Sequence, residues 1–461
     1  MDTTDATPPP AAATPAARPQ RGDELELTID SLAYGGAGVA RTDGYVVFVS
    51  GAVPGDRVRA VIGKRKRAWA EARTVEIIAP SPDRIAPVAD HPGAPWQILP
   101  YERQLEVKQA QVDDALRRIG KLDGFALEPI VPAVEQWRYR NKLEYSFGTD
   151  ADGKLACGFH APGRWDEIVP LSDCRLASEP ANQAREQIVA WCRAQGLVAY
   201  DRRTNEGLLR NLVVREGRRT GAIQVRLVTS EGKLNRESLT EAGAGLDGLL
   251  WTRQANVGET TQGGETELLA GSERFAEVLG GLQLSISSEA FFQTNTEMAE
   301  QLYELAVDYA QPGGFERVYD LYCGIGTIAL SIAPRVAEVW GLELVPEAIA
   351  DAIGNARTNE IDNVRFFAGD VRLALRELAE KAGRPDVLIV DPPRAGLSQK
   401  VVRRIIETSP SRIVYVSCNP TTLAPNAAQL VEAGYRLARV RPVDMFAQTP
   451  HIECVAELVR R

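Results

Sequence analysis

The spacing of apolar residues changes several times along this chain, and each change marks out a different part. Between Arg21 and Ala79, short apolar runs predict strands at Leu25 to Ile29, Tyr45 to Val49, Arg57 to Ile62 and Ala70 to Ile78. Gly35-Gly36, Asp43-Gly44 and Pro54-Gly55 separate them as turn signals. About five short strands in so small a span predict an OB-like β-barrel. Pro80 to Pro100 is proline-rich and irregular, and Tyr101 to Ile119 then reads as a helix with Leu105, Val112, Leu116 and Ile119 on one face. From Pro129 to Gly281 the pattern is α+β: strands at Lys142 to Phe147, Ile223 to Val228 and Leu249 to Arg253, with one clear helix, Ala181 to Gln195. Beyond Ala299, apolar strands alternate with helices. The strands are expected at Arg317 to Leu321, Glu338 to Leu342, Val364 to Phe367, Val387 to Val390, Arg412 to Val416 and Tyr435 to Pro442. That alternation is the mark of a doubly wound, Rossmann-like α/β fold.

The length of 461 residues allows about three domains. Hydrophobic content of 44% and charged content of 25% suit a soluble globular chain, and no apolar run reaches membrane-spanning length. Residues 1–20 are rich in Ala, Pro and Thr without an apolar core, so they read as a disordered tail rather than a secretory signal. Six irregularly spaced cysteines point to a reducing, cytoplasmic setting rather than a disulfide framework. The net charge of −9 argues against nucleic-acid binding overall, but a local basic face is compatible with it. One such face is Lys64-Arg65-Lys66-Arg67 followed by Trp69, at the tip of the last predicted hairpin. A charge run is commonly just a solvated turn. On an OB-like barrel, cations beside an aromatic ring also hold single-stranded RNA, by phosphate attraction and base stacking.

Asp320-Leu-Tyr-Cys-Gly-Ile-Gly-Thr327 is the first strand-to-helix turn of the α/β region. Gly324 and Gly326 allow a ligand close to the backbone, at the carboxyl edge of the sheet where such folds bind ligands. Glu343 ends the next strand, where a carboxylate can take both hydroxyls of a ribose, and Asp370 ends the third, near the expected adenine. Each carboxylate could instead be a helix N-cap. Three in order after three consecutive strands favour an adenosyl cofactor. NAD competes, although Ala329 stands where the third glycine of its usual loop belongs, and no phosphate loop of the ATPase type is present.

Asp391-Pro-Pro-Arg394 ends the fourth strand, and its prolines hold Asp391 projecting between cofactor and substrate. Cys418, in Val414-Tyr-Val-Ser-Cys-Asn-Pro420, ends the fifth. Inert packing is the ordinary reading of a strand cysteine and suits Cys192, Cys323 and Cys454. Cys418 differs because Asn419-Pro420 stops the strand and turns the thiol toward the ligand edge. Glu453, in the terminal strand His451-Ile-Glu-Cys-Val455, is either a surface carboxylate or a placed base. Carbon 5 of uracil is a poor nucleophile until a thiolate adds at carbon 6. It can then attack a sulfonium methyl group, after which a base removes its proton and the thiolate leaves. That chemistry needs one cysteine and one base, and Cys418 and Glu453 fit, with Asp391 orienting the ring.

On these residues the chain from Arg21 to its end closely resembles the RNA (uracil-5-)-methyltransferases with an N-terminal TRAM domain, typified by bacterial 23S rRNA enzymes. The motifs carrying the likeness are Phe291-Phe-Gln-Thr-Asn295, Asp320-Leu-Tyr-Cys-Gly-Ile-Gly, Asp391-Pro-Pro-Arg-Ala-Gly-Leu, Val416-Ser-Cys-Asn-Pro and His451-Ile-Glu-Cys-Val. The resemblance implies Cys418 as nucleophile and Glu453 as base. It implies S-adenosyl-L-methionine contacts from Gln293, Tyr322, Glu343, Asp370 and Asp391, with Gly324 and Thr327 in the same loop. The implied organisation is a TRAM barrel over residues 21–79, a central α+β domain over 80–97 and 125–281, a helix over 98–124 packed on the catalytic domain, and a methyltransferase domain over 282–461. Structured RNA is the implied partner, 23S rRNA ahead of tRNA, for a monomeric cytoplasmic enzyme without a membrane partner. Members that bind a [4Fe-4S] cluster carry three cysteines before that helix and a fourth in the insert. Here Ala79 to Pro100 has none, Asp90-His91-Pro92 and Pro95-Trp96 stand instead, and Cys174 in Ser172-Asp-Cys-Arg-Leu176 is the surviving position. One thiolate cannot hold four irons. No cluster or other metal is therefore expected, and the segment should pack around Trp96. Two other readings stay open: an amino-group methyltransferase that needs no cysteine, and an RNA chaperone on a degenerate methyltransferase fold.

Overall fold

The computed structural model describes residues 18–42, 44–258 and 260–461. The expected tail thus lies outside the described residues as far as residue 17, as does Asp43 of the expected Asp43-Gly44 turn. The chain divides into two compact units, one running to Ala86 with Ile98–Pro100, the other comprising Pro87–Gln97 and Tyr101–Arg461.

The first unit is a six-stranded sheet in the order Glu24–Thr28, Arg57–Arg65, Trp69–Ala79, Tyr45–Ser50, Gly38–Thr42, Ser31–Leu32. Alternation works as expected: Tyr45, Val47 and Val49 point inward and meet Leu27, Ile29, Val58, Ala60 and Ile62 in one core. The long hairpin of Arg57–Arg65 and Trp69–Ala79 carries register irregularities, which bend and twist it. Lys64, Arg65, Lys66 and Arg67 are exposed at its tip. Trp69 is half-buried, edge-on to Phe48 with centroids 5.8 Å apart, and the Lys64 ammonium lies 5.6 Å from its ring centre.

The second unit contains a seven-stranded sheet in the order Ile168–Pro170, Leu155–His160, Lys142–Thr149, Leu209–Glu216, Ile223–Thr229, Gly248–Arg253, Glu265–Gly271. Helix Glu179–Ala194 covers one face through Ile188 and Cys192, which meet Leu143, Tyr145, Leu212, Val214 and Val225. The strand Leu209–Glu216 escaped sequence reading because every residue of it is buried, polar ones included. Arg215 donates to the carbonyls of Ser287 at 3.2 Å and Ala290 at 2.8 Å, so a charged side chain is accommodated inside and the alternation is lost.

An eight-stranded sheet follows in the order Val364–Ala368, Glu338–Glu343, Arg317–Leu321, Val387–Val390, Arg412–Ser417, Glu453–Arg460, Tyr435–Val443, Ala126–Leu127. The first five strands run parallel, and Glu453–Arg460 is inserted antiparallel between Arg412–Ser417 and Tyr435–Val443. Strand order reverses between Arg317–Leu321 and Val387–Val390, which opens a crevice at their carboxyl ends. The terminal strand begins at Glu453 rather than His451 and continues to Arg460.

Helix Tyr101–Asp114 is α-helical and passes into one π-helical turn over Ala115–Ile119. Its expected apolar face needs correction. Val112 and Leu116 are buried, but Ile119 is exposed and the deepest positions of the first two turns are Gln104 and Lys108. Hydrophobic periodicity cannot find a helix face buried through polar side chains.

Candidate active site

The carboxyl edge of the parallel strands gathers the candidate residues. After Arg317–Leu321 the chain turns through Tyr322 with φ +63°, Gly324 with φ +53° and Gly326 with φ +85° into helix Thr327–Ile332. A left-handed tyrosine is strained, a feature that concentrates at functional turns. Nothing lies within 4 Å of where a Cβ on Gly324 would stand, so that side of the loop is open to a ligand. Asp320 is buried, and its Oδ2 accepts from the Ala329 amide at 3.0 Å, which ties the turn to the helix behind it. Burial raises its carboxyl well above the ordinary range, with the neighbouring Asp391 adding to the effect.

Glu343 ends its strand with Oε1 accepting from the Leu344 amide at 2.7 Å and the Val345 amide at 3.1 Å, while Oε2 accepts from Gly324 at 3.2 Å. The carboxylate therefore already faces the glycine loop. Asp370 caps helix Val371–Ala382 through the Arg372 amide and pairs with the Arg372 guanidinium, which holds its carboxyl below the ordinary range. Phe291, Tyr303, Tyr322, Thr327 and Asp391 line a pocket over this loop. Gln293 is buried nearby, its carbonyl accepting from Asn141 Nδ2 at 2.9 Å. The pocket, the open glycine and the carboxylate suit an adenosyl ligand. Tyr303, on helix Thr296–Ala310, was not anticipated. Helical spacing makes it look like any other core aromatic, and only the fold turns it toward Asp391, which helps to raise its hydroxyl pKa after burial.

Asp391, Cys418 and Glu453 converge from three strands. Ser417 stands opposite Cys454 at the end of the antiparallel ladder, so Cys418 and Glu453 are the next residues beyond that pair, close enough that Glu453 helps to raise the Cys418 thiol. On its other side Glu453 stands opposite Val443. The Cys418 turn is fixed by Asn419, whose Oδ1 accepts from the Thr421 amide at 3.0 Å to cap helix Pro420–Glu432. Asn419 Nδ2 also donates to the Arg394 carbonyl at 3.1 Å, linking the cysteine turn to the Asp391-Pro-Pro-Arg394 turn. Cys323 and Cys454 are buried, and Cys454 donates to the Ser417 carbonyl at 3.5 Å, which fits the packing role expected of them.

The electrostatics are those of a dry, acidic pocket. Burial pushes Asp391 up to about 7 and raises Glu453 well above the ordinary carboxyl range, with Asp391 contributing to the latter. Burial, then Glu453 and Asp391, push the Cys418 thiol up to about 12, and Arg394 opposes them. His451 is driven down to about 4, first by burial and then by Arg394, Arg140 and Lys108. Raised proton affinity makes each carboxyl a stronger acceptor in its ionised form and keeps the thiol protonated until a partner takes its proton.

Matches to known proteins agree with this geometry. Residues 281–461 match the tRNA (Uracil-5-)-methyltransferase family model, and residues 18–75 match the TRAM domain. An uncharacterized RNA methyltransferase of Halalkalibacterium halodurans is 37% identical across 95% of this chain and 97% of its own length. One of Porphyromonas gingivalis is 39% identical across 94% of this chain and 99% of its own. This chain belongs to the TRAM-domain RNA (uracil-5-)-methyltransferases. The enzyme thus transfers a methyl group from S-adenosylmethionine to carbon 5 of uracil in RNA. The crystal structure of Pyrococcus abyssi tRNA (uracil-54, C5)-methyltransferase in complex with S-adenosyl-L-homocysteine superposes with a TM-score of 0.78 at 28% identity, covering 94% of this chain and 99% of that one.

The segment Pro87–Gln97 closes around Trp96, which is buried, with the Lys108 ammonium 5.6 Å from its ring. His91 Nε2 lies 3.2 Å from Cys174 Sγ, both buried. Among the described residues no three His, Cys, Asp or Glu side chains gather as a metal would require. This is a poor fit for a four-thiolate cluster.

Proposed function

We propose that the enzyme makes 5-methyluridine in structured RNA through a covalent bond between Cys418 Sγ and carbon 6 of the target uracil. Asp391 orients the ring, and Glu453 removes the carbon 5 proton. The observation that supports this reading is the Ser417–Cys454 pair at the end of the ladder, from which Cys418 and Glu453 follow directly. With its thiol near 12, Cys418 becomes a nucleophile only as the ring arrives: its proton passes to ring O4 as the C5–C6 electron pair moves toward that oxygen, and leaves to solvent when carbon 5 takes the methyl group. In its ionised form Glu453, buried and of high proton affinity, accepts the carbon 5 proton; the C6–S bond then breaks, and its electrons leave with the thiolate as the C5–C6 double bond re-forms. Gln293, Tyr322, Gly324, Thr327, Glu343 and Asp370 hold S-adenosylmethionine, with Glu343 taking the ribose hydroxyls.

For the target, the TRAM barrel supports 23S rRNA. The similarity to a tRNA (uracil-54, C5)-methyltransferase supports tRNA as the second reading, because 94% coverage leaves no room to omit the barrel. Nucleoside mass spectrometry of rRNA and tRNA from a deletion strain tests both. One 5-methyluridine lost from 23S rRNA is the expected result, and loss from tRNA alone selects the second reading.

Lys64, Arg65, Lys66, Arg67 and Trp69 supply the RNA grip of the barrel. Replacing the four cations by glutamine should weaken RNA binding and flatten its salt dependence by up to about 3 in the log–log slope, since each phosphate on a single strand contributes about 0.7. An unchanged slope would assign the hairpin tip to solvent. No [4Fe-4S] cluster is built, so anaerobically purified protein should carry only trace iron, and stoichiometric iron overturns that. The enzyme acts as a monomer in the cytoplasm.

A further inference from the structure

Glu453 follows a connection, Asp444 to Ile452, that has no regular structure yet is packed like a core. Asp444, Met445, Ala447, Gln448 and Thr449 are all buried. Exposed connections of this kind are ordinarily mobile. Here helix Tyr101–Asp114 pins it through one polar stripe: Tyr101, Gln104 and Lys108, three and four residues apart and so on one face. Lys108 Nζ donates to Asp444 Oδ1 at 2.5 Å and to the Phe446 carbonyl at 3.1 Å. The Tyr101 hydroxyl donates to Asp444 Oδ2 at 2.8 Å and accepts from the Ala133 amide at 2.6 Å. Gln104 Oε1 accepts from the Gln448 amide at 3.0 Å, and its Nε2 reaches Gln448 Oε1 at 2.8 Å and the Trp96 carbonyl at 3.0 Å. Gln448 itself sits at φ +65°, a strained conformation that these bonds hold.

The Lys108–Asp444 pair is fully buried on both sides. Such a pair contributes little net stability, because desolvating two charges cancels most of their attraction; its best-attested use is to fix register. What it registers here is Val443, the ladder partner of Glu453, and the approach of His451, whose ring stands edge-on to Phe446 at 5.9 Å.

We infer that Lys108, with Tyr101 and Asp444, is a positioning device for the base: the helix stripe sets where the Glu453 carboxylate meets the carbon 5 proton. This rests on the proposed role of Glu453. Lys108 touches no reacting atom. It acts through Asp444 and the strand that follows, so it governs the last step, proton removal with release of Cys418, rather than the addition or methyl transfer before it.

The test separates those steps. The transcript that wild-type enzyme methylates is prepared with 5-fluorouridine, whose fluorine cannot be removed as a proton, so reaction stops at the methylated adduct. The double variant Lys108→Met, Asp444→Leu replaces the pair by apolar groups without stranding a charge. Adduct formation on fluorinated RNA should proceed within about twofold of wild type, while turnover on natural RNA falls at least about tenfold and the covalent methylated RNA–enzyme species accumulates. Tyr101→Phe keeps the packing and should show the same pattern at a few-fold, which serves as the test if the double variant does not fold. Unchanged turnover in the folded variants, or equal slowing of adduct formation and turnover, overturns the inference. Failure of wild-type enzyme to form any adduct would instead overturn the covalent reading beneath it.

Discussion

Alanine at position 418 is expected to lower turnover by at least about 10⁴-fold, the scale seen when a nucleophile that carries a covalent step is removed. The argument is chemical first. Without addition at carbon 6, carbon 5 has no enolate character and cannot attack a methyl sulfonium. The neighbouring thiols are poor substitutes: Cys454 is buried with its sulfur on the Ser417 carbonyl, and Cys323 is buried in the glycine loop, on a different turn from Cys418. Binding should survive: Cys418→Ala removes one sulfur from a half-buried turn whose cap, Asn419, is unaffected. The measurement is methyl incorporation into RNA alongside trapping on fluorinated transcript. Adduct formation must vanish with turnover, while affinity for S-adenosylmethionine stays near wild type. Methylation that continued at an appreciable rate would favour direct attack by an amino group, the chemistry that needs no cysteine. RNA binding without methylation by the wild-type enzyme would favour the chaperone.

Glutamine at position 453 is expected to lower turnover by about 10²- to 10⁴-fold, the usual contribution of a general base, and to leave a different trace. Addition and methyl transfer precede proton removal, so RNA methylated and still bonded to Cys418 should accumulate as a band of raised mass. The same substitution makes a prediction about stability, with a definite sign. Burial raises the folded-state pKa of Glu453 above its unfolded value. The native state therefore keeps a proton that the unfolded chain gives up, and wild-type stability falls as pH rises above the ordinary carboxyl range toward the folded value. Glutamine cannot titrate. The variant should match wild type in melting temperature near pH 4 and exceed it progressively toward pH 8. An equal or lower melting temperature at pH 8 would mean that Glu453 is stabilised as an anion, which would make it a poor base. A functional group held at the expense of stability is common in active sites.

The candidate site residues were largely legible because they punctuate strands. Gly324-Ile-Gly326, Asp391-Pro-Pro and Cys418-Asn-Pro each stop a strand with residues that cannot continue it, and strand ends in a doubly wound sheet are where ligands go. Gln293 was reached only through resemblance and Tyr303 not at all. Gln293 lies just before a helix and Tyr303 in the middle of it, where nothing local distinguishes a pocket-side side chain from a packed one. The central sheet was read in part. Strand Leu209–Glu216 hid because buried arginine and asparagine interrupt its alternation.

By itself the sequence determined the alternation of elements, the breaks that end them and the kinds of reactive group available, since all of these follow from local sterics and periodicity. Whether Glu453 faced water or the pocket was undecided locally, because an acidic residue between apolar neighbours fits either side of a strand. The antiparallel insertion of that strand beside Arg412–Ser417 decided it, by placing Glu453 one rung beyond the Ser417–Cys454 pair. The burial of Lys108 was likewise undecided in the sequence. A lysine is stable without water only when its counter-charge waits inside, and Asp444 arrives from 336 residues away through the fold alone.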